Sequence, residues 1–180
     1  MQQNQRIILY ILLLITGASW MLLSADNTGT STSGKNPAPQ AGFNAPDFIL
    51  NTPNNDTYSL SELRGQAVLV NLWATWCPPC RAEMPAIEKM YREYKDQGFI
   101  VLAINMTYQD DPFKVVPFAK EYGLTFPILL EETGDTASAY QLRSLPSSFF
   151  INREGIISEV VIGGPMSEAL LRTRIEQIIK

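Results

Sequence analysis

No histidine occurs anywhere in the 180 residues, and there are only two cysteines. The first absence removes Ser-His and Cys-His nucleophilic catalysis, imidazole metal sites, and haem attachment through a C-x-x-C-H sequence. Two thiolates would fill only half of a tetrahedral zinc site, so a metal centre built by this chain alone is not expected. Basic runs are missing too: 14 Lys and Arg stand against 18 Asp and Glu, for a formal net charge of −4. That balance argues against nucleic acid as a partner and reads as an ordinary solvated surface. The length suits one domain with a sizeable core plus extensions.

What is present is concentrated. The two cysteines stand three residues apart in Trp76-Cys77-Pro78-Pro79-Cys80, directly after the apolar run Ala67–Trp73. A strand that delivers such a pair to the start of a helix puts the first thiol where unpaired N–H groups and the helix dipole stabilise a thiolate. Cys77 is therefore the expected nucleophile, facing solvent. Cys80, inside the first turn, is placed to close a disulfide on it and to resolve a mixed disulfide. A purely structural bond is the other reading, but closing so short a loop removes little chain entropy. Pro78 and Pro79 lack N–H groups, which takes a backbone donor away from the Cys77 sulfur, and Pro79 is expected near the first helical position.

Residues Ile7 to Leu23 are nearly all apolar, preceded by Arg6 and followed by Asp26. The run is about long enough to span a bilayer. Leu23 sits at the third position before the cut that Ser24-Ala25 would offer, which favours an uncleaved anchor over a cleaved signal peptide. Arg6 and the free amine on one side place the N-terminus inside, giving a single-pass protein with its domain on the extracytoplasmic side. Residues 1–25 are thus read as the anchor. Residues 26–42, rich in Ser, Thr, Gly, Asn and Pro, are read as a flexible linker, and residues 43–180 as the folded domain.

Within that domain Phe48–Leu50 and Thr57–Leu60 flank a turn-rich Pro53–Asp56, predicting a hairpin, and Ser61–Gly65 a helical turn. Strand Val68–Trp73, a helix from Cys77 to about Gln97 and strand Phe99–Met106 make a βαβ unit with parallel pairing. A helix from Pro112 to Tyr122, a strand Phe126–Leu130 and a short helix Thr136–Leu142 follow. Ser147–Ile151 and Ile156–Ile162 form a second hairpin, and Ser167 caps a last helix reaching Lys180.

This order of elements, the W-C-P-P-C motif, the later Leu145-Pro146-Ser147 and the Ala45-Pro46-Asp47-Phe48 start resemble the TlpA/ResA-like branch of thioredoxin-fold proteins over residues 43–180. The resemblance implies an α/β thioredoxin fold with an N-terminal β-hairpin extension, a central helix-strand insertion, and an N-terminal transmembrane anchor helix. It implies an extracytoplasmic thiol-disulfide oxidoreductase that works through the Cys77–Cys80 disulfide and needs no other cofactor. The partners it implies are client proteins with disulfides, apocytochrome c being the best-known class, and a membrane thiol electron donor of the CcdA/DsbD type. Pro146 resembles a proline that follows a cis peptide bond and packs on the disulfide, turning the Leu145 backbone toward the client. Trp76, Pro78, Pro79, Leu145 and Pro146 then form the docking surface. Glu83, one turn past Cys80, resembles a glutamate linked to the cysteines, able to carry the Cys80 proton if burial raises its pKa. Thioredoxin itself has a buried aspartate six residues before the first cysteine; here that place is Asn71, which cannot titrate. A disulfide-forming oxidase would use the same residues at a reversed potential. A thiol peroxidase would carry its cysteine in a T-x-x-C turn, and a copper chaperone would need a histidine. Trp73 reads as core, Pro85 as a structural kink, and Arg81, Glu88, Lys89 and Arg92 as a solvated helix face. The 107–130 insertion is the place to look for a client groove, though Tyr108 and Gln109, which border it, carry no chemistry of their own.

Overall fold

A computed structural model describes residues 36–180. The apolar run Ile7–Leu23 and most of the segment read as linker lie outside the described residues. Among the described residues no helix is long and apolar enough to cross a membrane.

The strands are β1 (Ile49–Asn51), β2 (Thr57–Ser59), β3 (Ala67–Trp73), β4 (Phe99–Asn105), β5 (Ile128–Leu130), β6 (Ser147–Ile151) and β7 (Ile157–Ile162). The helices are α1 (Pro78–Tyr94), α2 (Pro112–Glu121), α3 (Asp135–Ala139) and α4 (Glu168–Ile178). One seven-stranded sheet runs in the order β2-β1-β5-β4-β3-β6-β7. The central strand β3 is parallel to β4, as the βαβ reading of the sequence requires, and antiparallel to β6. The N-terminal hairpin is present as β1 and β2, and the insertion as α2 and β5.

The elements are shorter than their sequence patterns at several ends. Helix α1 stops at Tyr94; Lys95–Gln97 tighten into a 3-10 turn that Gly98 ends at φ 81°. Strand β5 starts only at Ile128, because Pro127 has no N–H to give a ladder. Helix α4 ends at Ile178. Residues 38–42, read as linker, already bond to the domain: Ala38 N–H donates to Asn44 O, and Gly42 N–H to Ile157 O at 2.8 Å.

The period of two in β3 divides the core between both faces of the sheet. Leu69 and Trp73 point to α1, α2 and α4, where Met84, Ile87, Phe118, Leu171 and Ile175 are buried. Val68, Val70 and Leu72 point the other way, to Phe48, Leu60, Tyr140 and Phe149. Asn71 has the parity of Leu69, so a fully buried polar side chain lies on the face that α1 covers. Its register partner on β6 is Ser148.

Candidate active site

Strand β3 ends at Trp73, and the loop Ala74–Trp76 passes straight into α1. Cys77 is the N-cap, with extended φ −84° and ψ 109°, and Pro78 and Pro79 occupy the first two helical positions. The helix thus starts one residue earlier than expected from Pro79. Its four N-terminal donors are reduced to few: neither proline has one, and Arg81 N–H donates to Cys77 O. The Cys80 N–H donates to Cys77 Sγ at 3.3 Å. Cys77 and Cys80 are joined in a disulfide with Cα atoms 5.3 Å apart.

Cys77 was expected to face solvent, but it keeps only 2% of its surface and Cys80 none. Cys77 is packed into the buried cluster on the α1 side of the sheet, which a single helix end would not provide. What distinguishes the two sulfurs is the pocket. A pocket of about 390 Å³ is lined by Cys77 with Trp76, Pro78, Pro79, Tyr108, Gln109 and the segment Leu142–Leu145, whereas Cys80 is fully buried and does not line it. Trp76 is 57% exposed, and its indole N–H donates to Gln109 O at 3.1 Å. The Leu145–Pro146 peptide bond is cis. Pro146 is buried while Leu145 stays half-buried on the pocket wall.

Glu83 is fully buried. Its Oε1 accepts from Asn71 Nδ2 at 2.9 Å and its Oε2 from Met166 N–H at 3.1 Å. Burial pushes its carboxyl above the ordinary carboxylate range, and those two hydrogen bonds offset the rise only in part. Asn71 Nδ2 also donates to Ser148 Oγ at 2.9 Å, while Asn71 Oδ1 is buried without a partner. Were Glu83 protonated, its O–H would need an acceptor, which a flip of the Asn71 amide would supply.

Several expectations about the helix face change. Glu88 is not solvated: it is buried and accepts from Thr125 N–H at 2.8 Å and Thr125 Oγ at 2.6 Å, tying α1 to the turn before β5. Arg81 is half-covered, with its guanidinium 5.2 and 5.4 Å from the Phe118 and Tyr122 ring centres, and it donates to Thr75 O. Long-range packing supplies both changes, from the turn before β5 for Glu88 and from the end of α2 for Arg81. Lys89 and Arg92 are paired on the surface with Glu168 and Glu88. Trp73 is core, its ring 4.8 Å from Phe118.

Sequence reasoning missed the loop Gly163-Gly164-Pro165-Met166, which supplies the N–H held by Glu83. A Cβ on Gly164 would stand 2.7 Å from Glu83 Oε2 and 2.8 Å from Pro146 Cγ, so only glycine fits there. The Gly-Gly-Pro run was the signal that marked the place. Among the described residues no group of three or more His, Cys, Asp or Glu is arranged to hold a metal ion.

A C-x-x-C disulfide at the head of the long helix, one wall of a pocket and a proline loop beside it, on this sheet order, define a thioredoxin-fold thiol-disulfide oxidoreductase. Residues 41–160 match the AhpC/TSA family, and the chain belongs to it. It is 43% identical over 125 residues to the thioredoxin-like protein YneN of Bacillus subtilis (strain 168), which covers 69% of this chain and 72% of that one. Identity to the thiol-disulfide oxidoreductase ResA of Geobacillus thermodenitrificans (strain NG80-2) is 32% over 180 residues, 99% of each chain. Among solved structures, StoA from Bacillus subtilis superposes with a TM-score of 0.63 at 29% identity, covering 72% of this chain and 96% of StoA. A thiol:disulfide interchange protein from Chlorobium tepidum TLS gives a TM-score of 0.71 at 27% identity, over 81% of this chain and 99% of its own.

Proposed function

We propose that the chain reduces disulfides in client proteins on the extracytoplasmic side of a membrane, held there by Ile7–Leu23. The Cys77 thiolate attacks one client sulfur, and the other leaves as a thiolate. Cys80 then attacks Cys77 Sγ and closes the internal disulfide. The client departs with two electrons and two protons. Glu83 takes the Cys80 proton as that thiol becomes a nucleophile. The client docks against Trp76, Pro78, Pro79, Leu145 and Pro146. A membrane thiol carrier of the CcdA/DsbD type returns the electrons, and apocytochrome c is the client class that the family resemblance suggests.

The observation that carries this reading is the asymmetry of the pair, with Cys77 on the pocket wall and Cys80 fully buried off it. The reducing direction draws support from the two prolines. A Cys77 thiolate would find one main-chain donor, the Cys80 N–H, close to its sulfur. A thiolate with few donors is less stabilised, which favours the disulfide form and hence a reductant. The test is the potential of the Cys77–Cys80 couple in the full chain, equilibrated against defined thiol buffers. A value at or below about −230 mV supports client reduction, and one near about −120 mV makes disulfide formation the better reading. No disulfide at any poise ends both.

A further inference from the structure

The loop between β3 and α1 has no ladder partner, yet it is pinned at every residue that matters to the pocket. Trp73 O accepts from Met106 N–H at 2.9 Å. Thr75 N–H donates to Asp110 Oδ2, and Thr75 Oγ to Asp110 Oδ1, both at 2.6 Å. Asn105 Nδ2 donates to the first of these oxygens and Asp111 N–H to the second, each at 2.8 Å. One carboxylate thus gathers four donors, from the loop after β3, from the last residue of β4 and from its own turn. Burial pushes the Asp110 carboxyl up, but the bonds from Thr75, Asn105 and Asp111 outweigh it and hold it below the ordinary range. Asp110 does not line the pocket itself. Its neighbours Tyr108 and Gln109 do on one side, and Thr75's neighbour Trp76 does on the other.

We propose that Asp110 is a positioning residue, fixing the Thr75–Trp76 loop so that the Trp76 wall stands ready beside Cys77 before a client arrives. The inference rests on the oxidoreductase reading and deepens it. Trp76 is more than half exposed, and a large side chain on a free loop would have to be ordered at the moment of docking. Holding the loop beforehand removes that cost from binding. A small disulfide that reaches Cys77 without resting on the indole gains nothing from the clamp. The assignment therefore separates large from small substrates, which a general loss of stability would not do.

The experiment uses the reduced full chain and two probes with one leaving group, the 5-thio-2-nitrobenzoate mixed disulfides of a cysteine-containing decapeptide and of cysteamine. Cys77 attacks the probe, nitrothiobenzoate leaves and is read by its colour, and Cys80 then releases the reduced peptide or cysteamine. In Asp110→Ala the peptide rate constant is expected to fall about tenfold relative to the cysteamine rate constant, the order set by losing a charge-assisted hydrogen bond. Thr75→Val keeps the N–H bond and loses only the hydroxyl bond, so it gives a smaller loss of the same selectivity, and it decides the matter if Asp110→Ala does not fold. Equal losses on both probes, or no loss on the peptide, overturn the assignment. Failure of the unsubstituted chain to release nitrothiobenzoate from either probe overturns the oxidoreductase reading instead.

Discussion

Gly164→Ala is the sharpest test of how the Glu83 environment is built. Gly163 sits at φ 85°, but Gly164 is outside the left-handed region, so alanine is allowed there by its own backbone. The substitution therefore isolates the added methyl. That methyl would lie 2.7 Å from Glu83 Oε2 and 2.8 Å from Pro146 Cγ, where ordinary contact begins at 3.4 Å. The Glu83 side chain is buried and the proline ring is rigid, so the loop is the part that recedes, by about 0.7 Å. The Met166 N–H to Oε2 bond, now 3.1 Å, then opens to about 3.8 Å and is lost. A charge-assisted hydrogen bond and a mild overpacking are each worth about 1–3 kcal/mol, so a destabilisation of about 2–6 kcal/mol is expected. Urea unfolding of the oxidised protein measures it. With a donor to the carboxylate gone and burial retained, the Glu83 pKa rises further, and the limb of the activity–pH profile that it governs moves to higher pH. A stability change under about 0.5 kcal/mol with an unmoved profile would refute the reasoning.

Glu83→Gln tests the raised pKa through linkage. The native state holds this proton more firmly than the unfolded chain does, so the group's favourable contribution is complete below the unfolded value of 4.5 and is lost as pH rises through the folded pKa. The glutamine variant has no such loss, so its stability relative to the parent should climb as pH rises above 4.5; parallel stability curves would sink the argument. Glu88→Ala removes both bonds to Thr125 and the pairing with Arg92, and should lower unfolding stability by about 2 kcal/mol. A cost within about 0.5 kcal/mol would return Glu88 to the ordinary solvated surface.

What could be read beforehand was local. The apolar run of β3, the prolines and cysteines at the head of α1, Gly98 and Gly123 as helix stops, and the Ser167 cap all carry their signal within a few residues. What could not be read was brought together by the fold. Asp110 meets Thr75 across 35 positions, Glu88 meets Thr125 across 37, and Met166 meets Glu83 across 83. Arg153 is a similar case. It looks like a turn residue in Asn152–Gly155, yet its guanidinium donates to Gly65 O, Gln97 O and Ile179 O and gathers three chain segments. The burial of Cys77 belongs to the same class, because the cluster it packs into is assembled from several elements.

The pairing of Asn71 with Ser148 has a consequence for assembly as well as for chemistry. They are direct partners in the β3–β6 ladder, and both face α1. A slip of β3 by one residue would send Asn71 into the opposite face, among Phe149, Leu60 and Tyr140, and bring Leu72 against the Glu83 carboxyl. Both placements bury a polar group without its partner, a penalty that well-packed alternatives in a uniformly apolar strand would escape. Polar residues beside the redox site thus also act as a register mark, so a misaligned sheet forfeits its stability together with its active site.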